Sequence, residues 1–132
     1  MCSSDLYNCL ADLYRNTQRF AESEAMYQSA LAIRERLSKD NPQAYEPDLA
    51  DSYNNLAILY SDTQRFKESE AMFKSALAIY ERLAKDTPQA YEPDLADSYN
   101  NLAILYRDTQ RLAESEEMYN AAAAICARLG IE

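Results

Sequence analysis

A block of sixteen residues occurs twice in this chain and decides its fold. Residues 45–60 read YEPDLADSYNNLAILY, and residues 91–106 repeat that stretch without a change. The same interval of 46 residues links the Thr-Gln-Arg tripeptides that begin at Thr17, Thr63 and Thr109. Residues 45–86 and 91–132 agree at 29 of 42 positions. Self-similarity at a fixed period of this length is the sequence signature of a repeat protein.

Each copy predicts two helices joined by a short polar turn. An apolar face runs along the first helix of the second copy at spacings of four, three and four: Leu49, Tyr53, Leu56 and Tyr60. We place this helix A at about residues 47–61, with Pro47 at the first helical position, where its missing N–H costs nothing. Helix B follows the turn at residues 62–65 and ends before Pro88, because the residue ahead of a proline avoids helical angles. A linker at residues 86–92 then leads to Pro93, which opens the next helix A.

The composition favours a helical domain and excludes several classes of partner. The chain has 132 residues with one Gly and four Pro, and so few helix-breaking residues favour long helices over a sheet with many tight turns. It has no run of about 18 apolar residues, and residues 1–10 lack the pattern of a secretory signal. We therefore expect a cytoplasmic protein with no membrane partner. The net charge is −9, and without a cluster of Lys and Arg we expect no nucleic-acid partner.

The residues needed for metal binding or for nucleophilic catalysis are missing. The chain has no His, and the wide spacing of Cys2, Cys9 and Cys126 does not suit a common zinc site. Such cysteines are typical of reduced thiols in a reducing compartment. Without His, a Ser or Cys nucleophile lacks its usual base, and carboxylates two residues apart, such as Glu68 and Glu70, do not share a helix face. We predict that the chain is not an enzyme and uses no cofactor or metal.

We expect an all-α fold, an α-solenoid in which three helical pairs stack within a single domain over residues 1–132. The three repeats span about residues 5–44, 45–90 and 91–132. One pair of helices cannot bury both of its faces, so each pair is stabilised by packing on its neighbours. Small residues such as Ala57 and Ala76 let the helix axes approach closely, and Tyr60 and Phe73 fill the space beside them.

Eight positions of each copy resemble the signature of tetratricopeptide repeats. In the second copy they are Tyr53, Leu56, Ala57, Tyr60, Phe66, Ser69, Phe73 and Ala76. The third copy has Tyr99, Leu102, Ala103, Tyr106, Leu112, Ser115, Tyr119 and Ala122, and the first has Tyr7, Leu10, Ala11, Tyr14, Phe20, Ser23, Tyr27 and Ala30. The phrase YNNLAILY, followed by AIYERL, is similar to the longer repeats of kinesin light chains and their bacterial relatives.

This resemblance implies a right-handed superhelix whose concave face is lined by the A helices. The sequence also departs from the family in two ways. The period of 46 residues exceeds the family's usual length of about 34, and the extra residues should lengthen helix B and its linker. Gln64 stands at a turn position where the family has a small residue.

Residues on helix A that face away from helix B form a candidate peptide-binding groove. They are Asn8, Asp12 and Arg15 in the first copy, Asp51, Asn54, Asn55, Ile58 and Asp62 in the second, and Asp97, Asn100, Asn101, Ile104 and Asp108 in the third. An Asn side chain both donates and accepts, which suits the backbone of an extended peptide. The resemblance implies that Asn55 and Asn101 contact the ligand backbone. Because Asn is also common on solvated surfaces, that simpler interpretation stays open.

The charges of these residues favour a basic or neutral peptide over an acidic one. The C-terminal carboxylate of an acidic peptide would need basic residues on the A helices, and those available are Arg15 and Arg107. The carboxylates of Asp12, Asp62 and Asp108 would repel such an anion. The first functional hypothesis is therefore a protein-interaction scaffold. The alternative is a structural or engineered repeat array with no ligand of its own, because copies two and three are nearly identical even at solvent positions.

The two ends of the chain differ from the repeat between them. Residues 1–5 bear no likeness to the matching part of the later copies, so we set them apart from the repeat and assign Ser4 at most the role of a helix N-cap. The third copy has no following helix to cover Tyr119, Ile125 and Leu129. Uncovered ends of different shape predict head-to-tail self-association, a contact that need not close into a ring.

Overall fold

The computed structural model describes residues 3–130, and all regular structure in that range is helical. Its helices are α1 (Ser3–Asn16), α2 (Phe20–Asp40), α3 (Pro42–Asp62), α4 (Phe66–Asp86), α5 (Pro88–Asp108) and α6 (Leu112–Leu129). Three successive helical pairs, with no strand between residues 3 and 130, confirm the predicted all-α repeat fold. By their contacts the residues divide into two compact units, Met1–Met72 and Phe73–Glu132, and the division falls within α4.

The A helices begin five residues earlier than the sequence pattern predicts. Helix α3 begins at Pro42 and α5 at Pro88. Pro47 and Pro93 therefore lie inside helices instead of opening them, and the predicted linker at residues 86–92 is reduced to Thr87 alone. Helix B does end before the proline, as expected. Helices α3 and α4 each have 21 residues. The extra residues of the long period therefore lengthen both helices of the repeat, and not helix B and a linker as predicted.

The earlier start of α3 follows from capping and from packing. The side-chain oxygen of Asn41 accepts a hydrogen bond from the N–H of Ala44 at 3.4 Å, which satisfies one of the free donors at a helix N-terminus. Pro47 costs the helix one backbone hydrogen bond, but Tyr45 and Glu46, in the turn that the earlier start adds, are half-buried. That burial offsets the loss, since most helix stability in proteins comes from packing of an apolar face.

The Thr-Gln-Arg tripeptide closes each hairpin in the same way. The hydroxyl of Thr63 donates to the carbonyl oxygens of Leu59 and Tyr60 at 3.0 and 3.2 Å. Gln64 then takes a left-handed conformation with φ of 64°. The N–H of Arg65 donates to the Tyr60 carbonyl at 2.7 Å, and its guanidinium lies 4.4 Å from the centre of the Tyr60 ring. Left-handed φ explains why the family prefers a small residue here, because a Cβ atom is strained in this region.

The other two hairpins repeat this turn and its closing contact. Gln18 and Gln110 have φ of 62° and 63°. Just beyond each turn a serine hydroxyl on helix B donates to an alanine carbonyl on helix A, at 2.7 or 2.8 Å: Ser23 to Ala11, Ser69 to Ala57 and Ser115 to Ala103. Since these alanines are fully buried, the two helices of each pair are in close contact at this point.

The first unit contains one apolar core shared by three helices. Leu56, Leu59 and Tyr60 of α3 pack with Tyr27 of α2 and Ala11 of α1. These residues occupy signature positions of the repeat or adjoin them, and the two leucines and Tyr27 are each 1% exposed. The aromatic and leucine positions are therefore core positions, as the repeat pattern predicts.

The start of the described chain is part of this fold, which corrects one expectation. Ser4 is buried within α1 instead of capping it. Asp5 on the first turn of α1 forms an ion pair with Arg34 of α2 at 3.0 Å. Ser4 and Asp5 of the segment set apart from the repeat thus contribute to packing, whereas Met1 and Cys2 lie outside the described residues.

Candidate binding surface of the A helices

The predicted groove residues lie on α1, α3 and α5, and their exposure varies with position. Those that are exposed are Asp12, Asp51, Asp62, Asp97, Asn100 and Asp108. Those that are half-buried are Asn8, Arg15, Asn54, Asn55, Ile58, Asn101 and Ile104. Each A helix therefore presents carboxylates to solvent, with less accessible amide and aliphatic side chains between them.

Three of the predicted residues in the first unit, Asp12, Arg15 and Asp62, act electrostatically on the hydroxyl of Tyr27. That hydroxyl donates a hydrogen bond to Asp12 on α1. Burial, the bond to Asp12 and the charge of Asp12 raise the pKa of Tyr27, while the charge of Arg15 lowers it and that of Asp62 on α3 raises it further. The phenol consequently stays neutral and remains a hydrogen-bond donor. Residues of two A helices are thus within electrostatic reach of one buried group.

The repeat pattern assigns Tyr27 to the core, and it does not predict this polar role. Tyr27 is 1% exposed, so the core assignment is correct, but its hydroxyl donates to the exposed residue Asp12. A signal for this exists in the sequence. The counterparts 46 residues later are Ile58 and Phe73, so the second copy lacks both the carboxylate and the phenol, whereas the third copy has Ile104 with Tyr119.

Two polar atoms of the predicted groove residues are buried without a hydrogen-bond partner among the described residues. They are the Nε donor of Arg15 on α1 and the Oδ1 acceptor of Asn54 on α3. Leaving a buried donor or acceptor unsatisfied costs roughly 1–3 kcal/mol.

Asn8 has a different environment from the rest of the predicted set. With its amide oriented to satisfy its neighbours, its side-chain oxygen accepts from both terminal nitrogens of Arg34 at 2.9 Å. Arg34 also donates to the Asp48 carbonyl at 3.1 Å and to the Ser52 hydroxyl at 2.9 Å. At 5% exposure, Arg34 joins α1, α2 and α3. The structure therefore places Asn8 in an inter-helix contact.

The electrostatic character of this surface is acidic. On α5, Arg107 is paired with Asp108 at 3.3 Å, so one of the two available cations is already neutralised. Within residues 3–130 no group of three or more His, Cys, Asp and Glu side chains is arranged to hold a metal ion. None of the helices described is long and apolar enough to cross a membrane.

A cleft of about 310 Å³ lies in the second unit, away from the predicted residues. It is formed between α4 and α5 and is lined by Glu81, Ala84, Lys85, Pro88, Glu92, Leu95 and Tyr99. Within it the Tyr99 hydroxyl donates to Glu81 at 3.1 Å. The cleft is thus the space beside a helix-to-helix hydrogen bond, and it does not include the candidate groove.

Comparisons with known proteins agree with this architecture. Two models of the tetratricopeptide repeat match the chain, one over residues 3–82 and the other over residues 95–129. The crystal structure of BtubC (BKLC) from P. vanneervenii is similar, with a TM-score of 0.83 at 28% sequence identity. The match covers 96% of this chain and 48% of that one, so the chain spans about half the length of this relative. A search of curated proteins found no significant match.

Proposed function

Because the chain belongs to the tetratricopeptide repeat family, we propose that it is a scaffold whose A helices bind an extended peptide of basic or neutral character. Repeats of this family mediate protein–protein interactions and form a non-enzymatic scaffold fold. The absence of catalytic activity, the location of the groove and the charge of its ligand are parts of the proposal.

The observation that carries the proposal is the distribution of charge on the A helices. Asp12, Asp51 and Asp62 in the first unit, and Asp97 and Asp108 in the second, are all exposed. Complementary charge speeds the encounter with a partner and disfavours partners of the same sign. A peptide rich in Lys or Arg therefore meets attraction along these helices, and an acidic peptide meets repulsion.

The half-buried asparagines supply the second element, which is independent of charge. Asn55 and Asn101 occupy the same position in successive copies, and both are half-buried. Each amide offers a donor and an acceptor to a peptide N–H and C=O. These side chains would hold the backbone of the ligand, while the carboxylates select its side chains.

The experiment that tests this proposal compares three fluorescent peptides of equal length, one Lys/Arg-rich, one neutral and one acidic. We expect the basic peptide to bind most tightly and the acidic one least tightly, with affinity for the basic peptide falling as salt is added. The Asn55→Ala/Asn101→Ala variant should bind the basic and neutral peptides more weakly. Asn120→Ala, an exposed asparagine on helix B of the third copy, is the matched control and should bind as the unmodified chain does. Tighter binding of the acidic peptide would refute the charge argument.

The alternative function is a repeat array that has no ligand and that self-associates through its ends. One observation favours it, namely that Leu6 and Leu13 on α1 are 53% and 56% exposed. It predicts that all three peptides bind weakly and that the double asparagine variant behaves as the unmodified chain does. The same titration therefore separates the two functions.

A further inference from the structure

A buried tyrosine fixes the position of one exposed carboxylate of the groove. The hydroxyl of Tyr27 on α2 donates to Oδ1 of Asp12 on α1. Tyr27 is 1% exposed, whereas Asp12 is exposed, so this bond joins a surface side chain to the core. A side chain that is already held loses less conformational freedom when it binds a ligand. Asp12 is therefore pre-organised for binding, and its second oxygen, Oδ2, takes no part in the bond to Tyr27.

The charges near this carboxylate favour a cationic ligand. Arg15 on α1 and Asp62 on α3 act on the Tyr27 hydroxyl together with Asp12, so two carboxylates stand against one guanidinium. The Nε atom of Arg15 is buried without a hydrogen-bond partner among the described residues, and it therefore bonds to neither carboxylate. A Lys or Arg side chain is consequently attracted to this place, and an Asp or Glu side chain is repelled.

The exposure of this position does not depend on what precedes the sequence. Ile58 occupies the same position of α3, which follows α1 and α2, and it is still only half-buried. The groups that act on Asp12 also come from later in the chain, since Tyr27 lies on α2 and Asp62 on α3. The arrangement is therefore complete within the first unit.

The other two copies have an aliphatic residue in place of this carboxylate. The counterparts of Asp12 are Ile58 and Ile104, and both are half-buried. The counterparts of the tyrosine are Phe73 and Tyr119, so a hydroxyl facing a carboxylate occurs in the first copy alone. An isoleucine offers apolar surface to a ligand but has no means of selecting charge. The A helices thus contribute unequally to recognition.

We propose that Asp12, positioned by Tyr27, binds a Lys or Arg side chain of the peptide, and that Ile58 on the next A helix receives an apolar side chain of the same peptide. The inference rests on the proposed function, since it concerns the same groove, and it names the residue that selects charge there. Tyr27 is a positioning residue, because a side chain that is 1% exposed acts on the ligand only through Asp12. The ligand class is a segment with a basic residue near an apolar one.

The test uses the full chain and three fluorescent peptides of equal length that contain Leu and differ at one position, which is Lys, Gln or Glu. We expect the Lys peptide to bind most tightly. Asp12→Asn should lower the ratio of Lys-peptide to Gln-peptide affinity about two- to fivefold, as loss of an exposed ion pair does. Tyr27→Phe should lower the same ratio by a smaller factor and leave the Gln-peptide affinity unchanged. The double variant should fall no further than Asp12→Asn alone, because the two residues act as one unit.

Three further variants separate this role from general effects on folding and packing. Phe73, at the position of Tyr27, is 5% exposed, so phenylalanine fits such a core position and Tyr27→Phe should keep its helical content. Tyr119→Phe removes the same hydroxyl where Ile104 replaces the carboxylate, and it should leave the Lys-to-Gln ratio unchanged. Ile58→Ala should weaken all three peptides by a similar factor.

The outcomes distinguish this inference from the proposed function. An unchanged Lys-to-Gln ratio in Asp12→Asn, or a double variant whose losses simply add, would overturn the inference while peptide binding in the groove stands. An Ile58→Ala variant that binds all three peptides as the unmodified chain does would overturn the apolar contact. If none of the three peptides bound the unmodified chain, the proposed function itself would be refuted, and this inference with it.

Discussion

The hydroxyl of Tyr53 on α3 donates to the carboxylate of Glu35 on α2 at 3.3 Å. The same contact recurs in the second unit, where Tyr99 on α5 donates to Glu81 on α4 at 3.1 Å. Both joints thus connect helix B of one repeat with helix A of the next through a phenol and a carboxylate. Burial, and then the charge of the glutamate, raise the pKa of each tyrosine above its ordinary value of 10.0.

These tyrosines should make the fold sensitive to alkali. Because their pKa is raised by folding, the stabilisation that they provide is complete below about pH 10 and is lost as the pH rises toward the folded pKa. We expect the free energy of unfolding to fall above about pH 10. In the Tyr53→Phe/Tyr99→Phe variant this fall should be shallower, which urea denaturation at several pH values can measure. An unchanged slope in that variant would show that the two contacts do not couple folding to tyrosine ionisation.

Overpacking at Ala57 should destabilise the first unit. Ala57 is fully buried, and its carbonyl oxygen accepts the Ser69 hydroxyl at 2.7 Å, so there is no room between α3 and α4 for a larger side chain. We expect Ala57→Leu to lower the free energy of unfolding by about 1–3 kcal/mol. Ala78→Leu at an exposed position of α4 is the control and should be close to neutral. Equal denaturation midpoints for Ala57→Leu and the unmodified chain would refute this packing.

Glycine in the hairpin turns should stabilise the chain. Gln64 has φ of 64°, and a side chain in the left-handed region costs roughly 1–2 kcal/mol. Glycine removes that strain but adds roughly 0.5–1 kcal/mol of entropy loss on folding. We therefore expect Gln64→Gly to raise the free energy of unfolding by up to about 1 kcal/mol. Gln89→Gly, within the first turn of α5, has no such strain to relieve and should be destabilising. A loss of stability in Gln64→Gly would contradict the left-handed turn.

Removal of Arg34 should cost more than any exposed substitution. Its guanidinium contacts Asp5, Asp48 and Ser52, and hydrogen bonds to charged groups contribute roughly 1.5–3 kcal/mol. We expect Arg34→Ala to lower the free energy of unfolding by about 3 kcal/mol. Asp5→Ala should cost less, because the carboxylate is half exposed and the guanidinium keeps its other partners. If Arg34→Ala were near neutral in thermal denaturation, the three-helix contact would not contribute to stability.

Much of the fold could be predicted because the repeat supplies the same information three times. The period, the apolar spacing and the paired Ala and Ser positions fix two helices per copy and their contact face. Helix starts were less predictable. Pro42 and Pro47 both suit a first turn, and the choice between them depends on the packing of the added turn, where Tyr45 and Glu46 are half-buried. The apolar spacing of residues 49–60 does not contain that information.

The candidate surface was predictable as a set of helix positions and less so as a set of contacts. The asparagines and aspartates do lie on the A helices, and their role in binding stays a prediction. The contacts of Arg34 and Tyr27 were not predicted. By residue type an arginine is assigned to the solvated surface, and a tyrosine at a core position is assigned to apolar packing. Comparison of the copies was the available signal: Arg34 aligns with Tyr80 and Cys126, which are not typical of a solvated position.

Asn41 alone connects α2 with α3, and so short a connection limits how residues can be gained or lost at this junction. One residue inserted there would turn every side chain of α3 by about 100° around the helix axis. Tyr53, Leu56 and Tyr60 would leave their partners together, since all three lie on one face. At this junction, therefore, only whole repeats should be gained or lost.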